Sequence, residues 1–291
     1  MAPARVLCIG AAHWDLIARA DRVLARGDDA PGRIRRAPGG VAANVAMALA
    51  RRGLTVELLA AVGEDVEGQA LEAALTAAGV GTAGLARLAA TDTYVAVEDA
   101  DGLVAAVADA GTLAAAGEAL FAALDDGRLP SPWRGVVLVD SNLTPEQVAA
   151  LAAHPALADA PLRLVPASPA KAPRLAPLLG RAGAVLHANR AEAEALCGRA
   201  FADATAAAEA LIAQGAARAI VTDGPRRAAD AARNAPPLSE APPDVAAVRV
   251  TGAGDALLAA HLNAELNGAS RADALHTALR AAAAHVAGDP A

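Results

Sequence analysis

Residues 136–165 read VVLVDSNLTPEQVAALAAHPALADAPLRLV, with two short aliphatic runs on either side of an alanine-rich segment. The runs Val136–Val139 and Leu162–Val165 are rich in aliphatic and β-branched side chains, which favours β-strands. The segment Pro145–Ala152 between them favours a helix, because alanine has the highest helix propensity. A strand, a helix and a second strand in this order predict a βαβ unit with parallel strands.

The same alternation continues on both sides of this unit. Further strands are predicted at Val6–Ile9, Val56–Ala60, Ala184–His187 and Ala219–Thr222. Further helices are predicted at Val41–Arg52, Gly68–Ala78, Ala170–Leu179, Arg190–Cys197, Ala204–Gln214 and most of Gly254–Val286. The chain is therefore predicted to form an α/β fold with a mostly parallel central sheet that helices cover on both faces.

Two segments interrupt this rhythm. Residues 28–38 are rich in glycine, proline and arginine, and residues 91–108 contain two strand patterns, Thr93–Glu98 and Leu103–Ala108. An Asp-Gly pair lies between the two patterns and predicts a hairpin. We predict a small accessory sheet with the role of a lid near these two segments. The segment Asn234–Asp244 contains four prolines and is predicted to be a loop.

Length and charge limit the classes of function. A chain of 291 residues is long enough for one α/β domain, residues 1–291, with a sizeable core. Its net charge of −7 argues against nucleic-acid binding. Two cysteines make neither a disulfide framework nor a metal site. The chain lacks a signal-peptide pattern and an apolar run of about 20 residues, so we expect a cytoplasmic protein that does not bind membranes.

The most specific chemical signal is Thr251-Gly252-Ala253-Gly254-Asp255-Ala256-Leu257, at the start of the last helical region. Its two glycines leave backbone N–H groups open to an anion, and the following helix adds its positive N-terminal end. An aspartate at this point suits a group that accepts a proton during phosphoryl transfer to an alcohol. The alternative is a plain glycine turn in which Asp255 is only a first-turn helix residue.

Polar residues near the N-terminus suit a ligand with hydroxyl groups. The pair Gly39-Gly40 precedes a helix, and Asn44 follows with an amide that both donates and accepts hydrogen bonds. Asp15 follows the first strand, at the edge of the sheet where α/β proteins bind ligands. The alternatives are a helix-start glycine pair with a solvated asparagine, and an acid in a surface loop.

Together these segments resemble the pattern of the PfkB, or ribokinase-like, carbohydrate kinases. The resemblance covers essentially the whole chain, and its motifs are Gly39-Gly40-x-x-x-Asn44, Gly63-Glu64-Asp65-x-x-Gly68, Asn189-x-x-Glu192, Thr222-x-Gly224 and Gly252-Ala253-Gly254-Asp255. The family implies a ribokinase-like three-layer α/β/α sandwich with a small β lid. It also implies that Asp255 is the catalytic base, with the backbone of Gly252, Ala253 and Gly254 as the anion hole.

The resemblance further implies a site shared by two ligands. ATP is implied as the phosphoryl donor and Mg²⁺ as the cofactor, with Glu192 reaching the metal through water. The implied nucleotide-binding residues are Asn189, Glu192, Thr222 and Gly224. The implied residues for the sugar are Asp15, Gly39, Gly40 and Asn44. The hairpin would belong to a lid that excludes water during transfer.

Finer features resemble one branch of the family, the pseudouridine kinases. These features are the run Asp140-Ser141-Asn142-Leu143, the run Pro166–Ala172, which contains Lys171, and the hairpin stretch Thr93–Val97, which contains Tyr94. The likeness implies that Tyr94, Asp140 and Lys171 contact the substrate. Lid sheets in this family often pair across a dimer, so the resemblance leaves a homodimer open.

Three departures from the family pattern stand out. Arg249 and Val250 occupy positions that usually hold Asp-Thr, which predicts a weak response to K⁺ because a monovalent-cation ligand is missing. Arg227 replaces a usual glycine near the nucleotide loop. Ala167 and Pro169 alter the Pro-Val-Ser run. None of these changes removes the predicted base or the anion hole.

The sequence thus predicts an ATP-dependent kinase that phosphorylates the 5′-hydroxyl of a ribosyl nucleoside, with pseudouridine as the expected substrate. One alternative is another PfkB kinase, acting on ribose, a ketohexose or a keto-deoxy sugar acid. A second is a nucleoside- or sugar-binding protein without catalysis. A dinucleotide-dependent oxidoreductase is disfavoured, because Gly10-Ala11-Ala12-His13 stands where a Gly-x-Gly-x-x-Gly motif is expected.

Overall fold

A computed structural model describes residues 4–249 and 251–288 and is built on three sheets. The strands are β1 (Arg5–Ile9), β2 (His13–Ala20), β3 (Gly32–Gly39), β4 (Thr55–Leu59), β5 (Ala61–Gly63), β6 (Val80–Gly81), β7 (Ala86–Leu88), β8 (Thr93–Asp99), β9 (Gly102–Asp109), β10 (Val136–Asp140), β11 (Leu162–Val165), β12 (Val185–Asn189), β13 (Arg218–Asp223), β14 (Arg226–Ala232) and β15 (Ala235–Glu240). The helices are α1 (Val41–Arg51), α2 (Val66–Ala77), α3 (Thr112–Ala115), α4 (Ala122–Asp125), α5 (Pro145–Ala153), α6 (Arg190–Cys197), α7 (Ala204–Ala213), α8 (Ala253–Leu266) and α9 (Arg271–Val286). Within the described ranges, no helix is both long enough and apolar enough to cross a bilayer.

The central sheet has nine strands in the order β15-β14-β13-β12-β11-β10-β1-β4-β6. Neighbours from β13 through β6 are parallel, and only β14 and β15 are antiparallel. The predicted mostly parallel sheet is therefore confirmed. From β1 the chain first builds outward through β4 and β6, and then returns to place β10 on the other side. The direction in which successive strands are added to the sheet reverses between β1 and β10. Open α/β sheets bind ligands at such a point.

Apolar side chains cover both faces of this sheet. On β1, Leu7 and Ile9 point to one buried cluster, whereas Val6 and Cys8 point to the other. This alternation follows from the two-residue repeat of a strand. One cluster contains the helices α5 and α7, and the other contains α1 and α8. The three-layer α/β/α arrangement predicted from the sequence is confirmed.

A second, smaller sheet has the order β3-β2-β8-β9. The hairpin predicted from residues 91–108 is present as the antiparallel pair β8–β9. The segment 28–38 contributes most of β3, which pairs with β2 from Gly39 to Gly32. Neither β2 nor β3 was predicted as a strand. Strand β3 lies at the sheet edge and is mostly exposed, so it lacks the apolar alternation on which such a prediction depends.

Two predicted elements differ from the structure. The segment Ala170–Leu179 forms a 3₁₀ helix over Ala172–Leu178 rather than an α-helix. Pro173 and Pro177 lie within it and lack the N–H that α-helical hydrogen bonds require. The proposed loop Asn234–Asp244 contains β15. Its prolines are tolerated because β15 is the edge strand of the large sheet.

Candidate active site

A cavity of about 780 Å³ opens at the C-terminal ends of the central strands, bordered by the small sheet. Most of the site residues proposed from the sequence line it: Asp15, Gly40, Asn44, Tyr94, Lys171, Asn189, Glu192, Thr222, Gly252, Gly254 and Asp255. The others do not line it: Gly39, Asp140, Gly224 and Ala253. Residues from distant parts of the sequence therefore line the same cavity.

The N-terminus of α8 faces this cavity without a side-chain cap. Gly252 is the N-cap residue, with φ of 86°, in the left-handed region that favours glycine. The first intrahelical bond runs from the N–H of Ala256 to the carbonyl of Gly252, at 3.0 Å. The preceding N–H groups, of Ala253, Gly254 and Asp255, therefore have no partner within the helix. Such a helix end is suited to binding an anion.

Asp255 lies in the first turn of α8, beside these free N–H groups. The amide of Asn44 donates a hydrogen bond to its Oδ2 atom at 3.1 Å. Burial, aided by the negative charges of Asp140, Glu192 and Asp15 and opposed by the hydrogen bond from Asn44, raises the pKa of Asp255 to about 7. A carboxyl with this pKa can accept a proton near neutral pH.

Asp140 holds the framework around the site together. It is fully buried at the end of β10 and accepts hydrogen bonds from the N–H groups of Ala11, Ala42 and Asn142, at 2.8–3.0 Å. A Cβ atom on Gly10 would lie 2.2 Å from its Cγ atom, so only glycine fits there. The structure thus corrects the expectation that Asp140 contacts the substrate. Its carboxylate instead joins β1, β10 and the start of α1.

Asp15 projects from β2 into the cavity. It pairs across the small sheet with Tyr94 of β8, so both side chains lie on the same face. The Nδ1 atom of His13 lies 3.0 Å from the Oδ1 atom of Asp15. A Cβ atom on Gly39 would lie 2.2 Å from the same oxygen. Gly39 therefore makes room for the Asp15 side chain and does not itself face the cavity.

Asn189 and Glu192 form a capping box at the start of α6. The N–H of Glu192 donates to Oδ1 of Asn189, and the N–H of Asn189 donates to Oε2 of Glu192, both at 2.9 Å. Glu192 is buried, and this burial raises its pKa to about 7. The box fixes both side chains at the cavity wall. Each keeps polar atoms that the box does not use.

A second polar corner of the cavity lies after β11. The Nζ atom of Lys171 donates to Oδ1 of Asn142 at 2.7 Å. Beside it, the Nη1 atom of Arg174 lies 3.2–3.4 Å from the backbone carbonyls of residues 141–143. Lys171 and Arg174 together place positive charge at this end of the cavity.

Thr222 lines the cavity, but its motif partner Gly224 is exposed in the turn between β13 and β14, with φ of 58°. Arg227, which replaces a usual glycine, donates from Nε to the Ser239 hydroxyl at 3.0 Å. This contact points Arg227 toward β15 rather than into the cavity. Val250, one of the two unusual residues before the glycine turn, lies outside the described residues.

The motif Gly63-Glu64-Asp65-x-x-Gly68 supports the hairpin from outside the cavity. Asp65 caps α2 by accepting from the N–H of Gly68 at 2.7 Å, and it also accepts from the N–H of Thr91 at 2.8 Å. A Cβ atom on Gly68 would lie 2.1 Å from the carbonyl oxygen of Gly63. The motif therefore holds α2 against the segment that leads into β8.

Comparison with known proteins assigns the family. The model of the pfkB family of carbohydrate kinases matches residues 3–288. The chain belongs to the pfkB family. It is similar to a carbohydrate kinase from Agrobacterium tumefaciens, with 29% identity and a TM-score of 0.79, over 96% of this chain and 90% of that one.

Two further relatives are similar over different lengths. A ribokinase from Arabidopsis thaliana, solved in complex with ribose and ATP, is 21% identical with a TM-score of 0.78, over 98% of this chain and 93% of that one. The uncharacterized sugar kinase YeiI from Escherichia coli (strain K12) is 36% identical over 142 residues, which are 47% of this chain and 38% of that protein. The chain thus matches well under half the length of this curated relative.

The donor set of this pfkB-family site fits a magnesium ion that is held mainly by a nucleotide. Among residues 4–249 and 251–288, no group of three or more histidine, cysteine, aspartate or glutamate side chains could hold a metal by itself. Glu192 supplies one buried carboxylate at the cavity wall. Mg²⁺ at nucleotide sites commonly takes one or two carboxylates, with water and phosphate oxygens as its other ligands.

Sequence reasoning missed two residues near the site. Arg174 follows Lys171 by three residues, and this spacing is the only sequence signal for it. His285 lies outside every motif of the sequence analysis, yet its Nε2 atom lies 2.8 Å from the carbonyl oxygen of Thr251. Contacts of this kind between distant segments leave no periodic pattern in a sequence.

Proposed function

We propose that this protein is an ATP-dependent kinase that phosphorylates the 5′-hydroxyl of a ribosyl nucleoside, with pseudouridine as its substrate. The main support for this proposal is the position of Asp255, whose carboxyl has a pKa of about 7 and lies beside the uncapped N-terminus of α8. A proton acceptor and an anion-binding group lie side by side in one cavity. Phosphoryl transfer to an alcohol requires both.

In this proposal Asp255 takes the proton from the acceptor hydroxyl as the phosphoryl group arrives. The N–H groups of Ala253, Gly254 and Asp255 stabilise the charge on the transferring phosphoryl oxygens. Asn44 holds the Asp255 carboxylate in position through its hydrogen bond of 3.1 Å. Each group is fixed before the reaction, so little reorganisation is needed in the transition state.

The donor side of the cavity is proposed to bind ATP with Mg²⁺. Asn189 and Glu192 would contact water in the metal's outer shell, and Thr222 would line the nucleotide. Mg²⁺, when bound with ATP, neutralises phosphate charge. The Arabidopsis ribokinase with ribose and ATP supports this assignment, because its fold matches over nearly the whole chain.

The acceptor side is proposed to hold the ribosyl group between Asp15 and Asn44. Beyond it, Tyr94 and the pair Lys171–Asn142 would surround the base. The Oδ1 atom of Asn142 accepts from Lys171 and keeps a second lone pair for a ring N–H. Pseudouridine has one ring N–H more than uridine, so this corner supports pseudouridine as the preferred nucleoside.

The small sheet is proposed as the lid of a single kinase domain spanning residues 1–291. Asp15 and Tyr94 project from it into the cavity, and the edge residues Ala108 and Asp109 of β9 also line the cavity. Movement of the β8–β9 hairpin toward the large sheet would shield the reacting groups from water. The lid segments near 28–38 and 91–108 are both part of this sheet.

A second candidate acceptor is a sugar acid. Lys171 and Arg174 place two positive charges at the wall of the cavity, and a carboxylate pairs well with such groups. A keto-deoxy sugar acid would use this corner in place of a base. Ribose or a ketohexose would leave it unfilled.

A panel of acceptors tests the proposal. ADP release from ATP is measured with pseudouridine, uridine, ribose, a ketohexose and a keto-deoxy sugar acid. We expect the highest kcat/KM with pseudouridine, at least about tenfold above uridine, because a buried polar group left unpaired discriminates strongly. Equal values for the two nucleosides would reject pseudouridine specificity, and no turnover with any acceptor would reject the kinase.

The variant Lys171→Met separates base recognition from catalysis. It should reduce the preference for pseudouridine over uridine, because Asn142 loses its hydrogen-bond partner. Arg181→Met is the matched control, since Arg181 follows Lys171 in the same connection but donates to the carbonyls of residues 157 and 158 and does not line the cavity. An unchanged preference in Lys171→Met would remove Lys171 from the recognition of the base.

A further inference from the structure

A hydrogen-bonded chain links the end of α9 to the glycine turn before α8. The Nη2 atom of Arg249 lies 3.0 Å from Nδ1 of His285, and Nε2 of His285 lies 2.8 Å from the carbonyl oxygen of Thr251. The backbone N–H groups of Val248 and Arg249 both donate to the carbonyl of Val286, at 2.9 and 3.1 Å. The segment before the turn is thus attached to α9 by both side chain and backbone.

The direction of these bonds fixes the protonation of His285. A guanidinium group only donates, so Nδ1 of His285 must accept from Arg249. The proton of a neutral ring then lies on Nε2, which donates it to the Thr251 carbonyl. Burial lowers the pKa of His285, the nearby charge of Arg249 lowers it further, and the bond to Thr251 opposes them. The net shift favours the neutral ring that this chain of bonds requires.

The Thr251 carbonyl shares a peptide plane with the N–H of Gly252. Because the peptide unit is planar and trans, holding the carbonyl also sets the direction of that N–H. The ring of His285 lies against Gly252 as well, since a Cβ atom there would be 3.1 Å from its Nε2 atom. His285 therefore controls both the orientation and the packing of the residue that starts α8.

We propose that Arg249 and His285 are positioning residues for phosphoryl transfer, which hold the Thr251–Gly252 peptide so that the free N–H groups of α8 face the transferring phosphoryl. The proposal rests on the proposed kinase function. Neither side chain touches the reacting atoms. Arg249 fixes the His285 tautomer, and His285 fixes the turn.

Kinetics of His285 variants test this role. His285→Leu should lower kcat about tenfold while the KM for the acceptor stays within about twofold, because the turn acts on the phosphoryl group and not on acceptor binding. His285→Gln should restore most of kcat, since its amide can donate to Thr251. His276→Leu is the matched control, because His276 also lies on α9 but pairs with Glu240 on the surface.

Coupling between the two residues is a second criterion. Arg249→Met should lower kcat less than His285→Leu, and the double variant should be no slower than His285→Leu alone, as expected for residues that act as one unit. Thermal unfolding of each variant identifies losses that come from a damaged fold. Wild-type kcat in a folded His285→Leu, or multiplied losses in the double variant, would overturn the proposal.

The tautomer can be measured without any turnover. In ¹⁵N-labelled protein, we expect His285 to carry its proton on Nε2 and to lose this fixed tautomer in Arg249→Met. A proton on Nδ1 in the wild type would overturn the positioning chain even if the protein is an active kinase. The expected tautomer in a protein that phosphorylates no acceptor would reject the kinase function and the positioning role, leaving only a structural contact.

Discussion

Two carboxyl groups in the cavity have pKa values near 7, and both owe this to burial. Glu192 is held by its capping box with Asn189, whereas Asp255 is held by Asn44 beside free N–H groups. The two carboxyl groups are proposed to have different roles. In the proposed reaction Asp255 accepts the proton of the acceptor hydroxyl, and Glu192 lies on the proposed nucleotide side. A general base is most effective when its pKa lies near the working pH.

The pH dependence of kcat/KM should follow from this environment. Asp255 must be ionised to accept a proton, so kcat/KM should fall as the pH drops through about 7. The hydrogen bond from Asn44 lowers the pKa of Asp255, so Asn44→Leu should move the fall to higher pH. Asn267→Leu, at the exposed far end of α8, should leave it in place. An acidic limb that does not move in Asn44→Leu would contradict this account.

The start of α8 depends on one glycine. Gly252 adopts φ of 86°, and a Cβ atom there would press on the ring of His285. Gly252→Ala should lower the free energy of unfolding by about 1–2 kcal/mol, the usual cost of a left-handed alanine. Gly254→Ala is the matched variant, because Gly254 lies inside the helix with open space around it. It should keep or raise stability by up to about 1 kcal/mol.

Urea unfolding measures both values on the same scale. Equal effects of the two substitutions would show that the turn before α8 does not require glycine. The comparison does not depend on activity, so it tests the local backbone independently of the proposed chemistry.

The lid role of the small sheet predicts a change in hydrogen exchange. Every residue of β9 is exposed, and no strand of residues 4–249 or 251–288 pairs with its outer edge. Closure over the two ligands should slow exchange in β8 and β9. Strand β15 is the control, because it is also an edge strand but does not border the cavity. Slowing that is equal in β9 and β15, or absent from both, would contradict a closing lid.

The central elements could be predicted because they carry strong local patterns. The unit β10–α5–β11 alternates aliphatic strands with an alanine-rich helix, and the structure confirms it. Strand β15 was missed because prolines normally end a strand, and only its edge position makes them acceptable. The pairing of β2 with β3 was missed because it forms between two segments without a strong apolar alternation.

The site depends on a parallel sheet that brings residues from distant parts of the sequence together. Asn44 and Asp255 are 211 positions apart and still form a hydrogen bond. The resemblance to the pfkB family predicted that both residues belong to one site, but it did not predict that they bond to each other. The sequence could not show that the Asp140 carboxylate accepts hydrogen bonds from three backbone N–H groups. These bonds depend on how closely β1, β10 and α1 approach one another.

The distinction between Asp140 and Asp255 shows what sequence leaves open. Asp140 is the last residue of β10, Asp255 lies in the first turn of α8, and both are acids. Burial among backbone donors gives Asp140 a structural role, whereas an open cavity beside Asp255 leaves its carboxyl available. Tertiary contacts decide between the two roles, and no local pattern records them.

The role of Asp255 is tested by comparing wild-type protein with Asp255→Asn, using ATP and the best acceptor of the panel. We expect kcat to fall by about 10²–10⁴-fold, the usual cost of losing a general base. Acceptor binding, measured by calorimetry, should remain within about threefold. Thermal stability should not fall, because burial raises the pKa of Asp255 and the variant no longer buries that charge. Wild-type kcat in Asp255→Asn would contradict the assignment of Asp255 as the base.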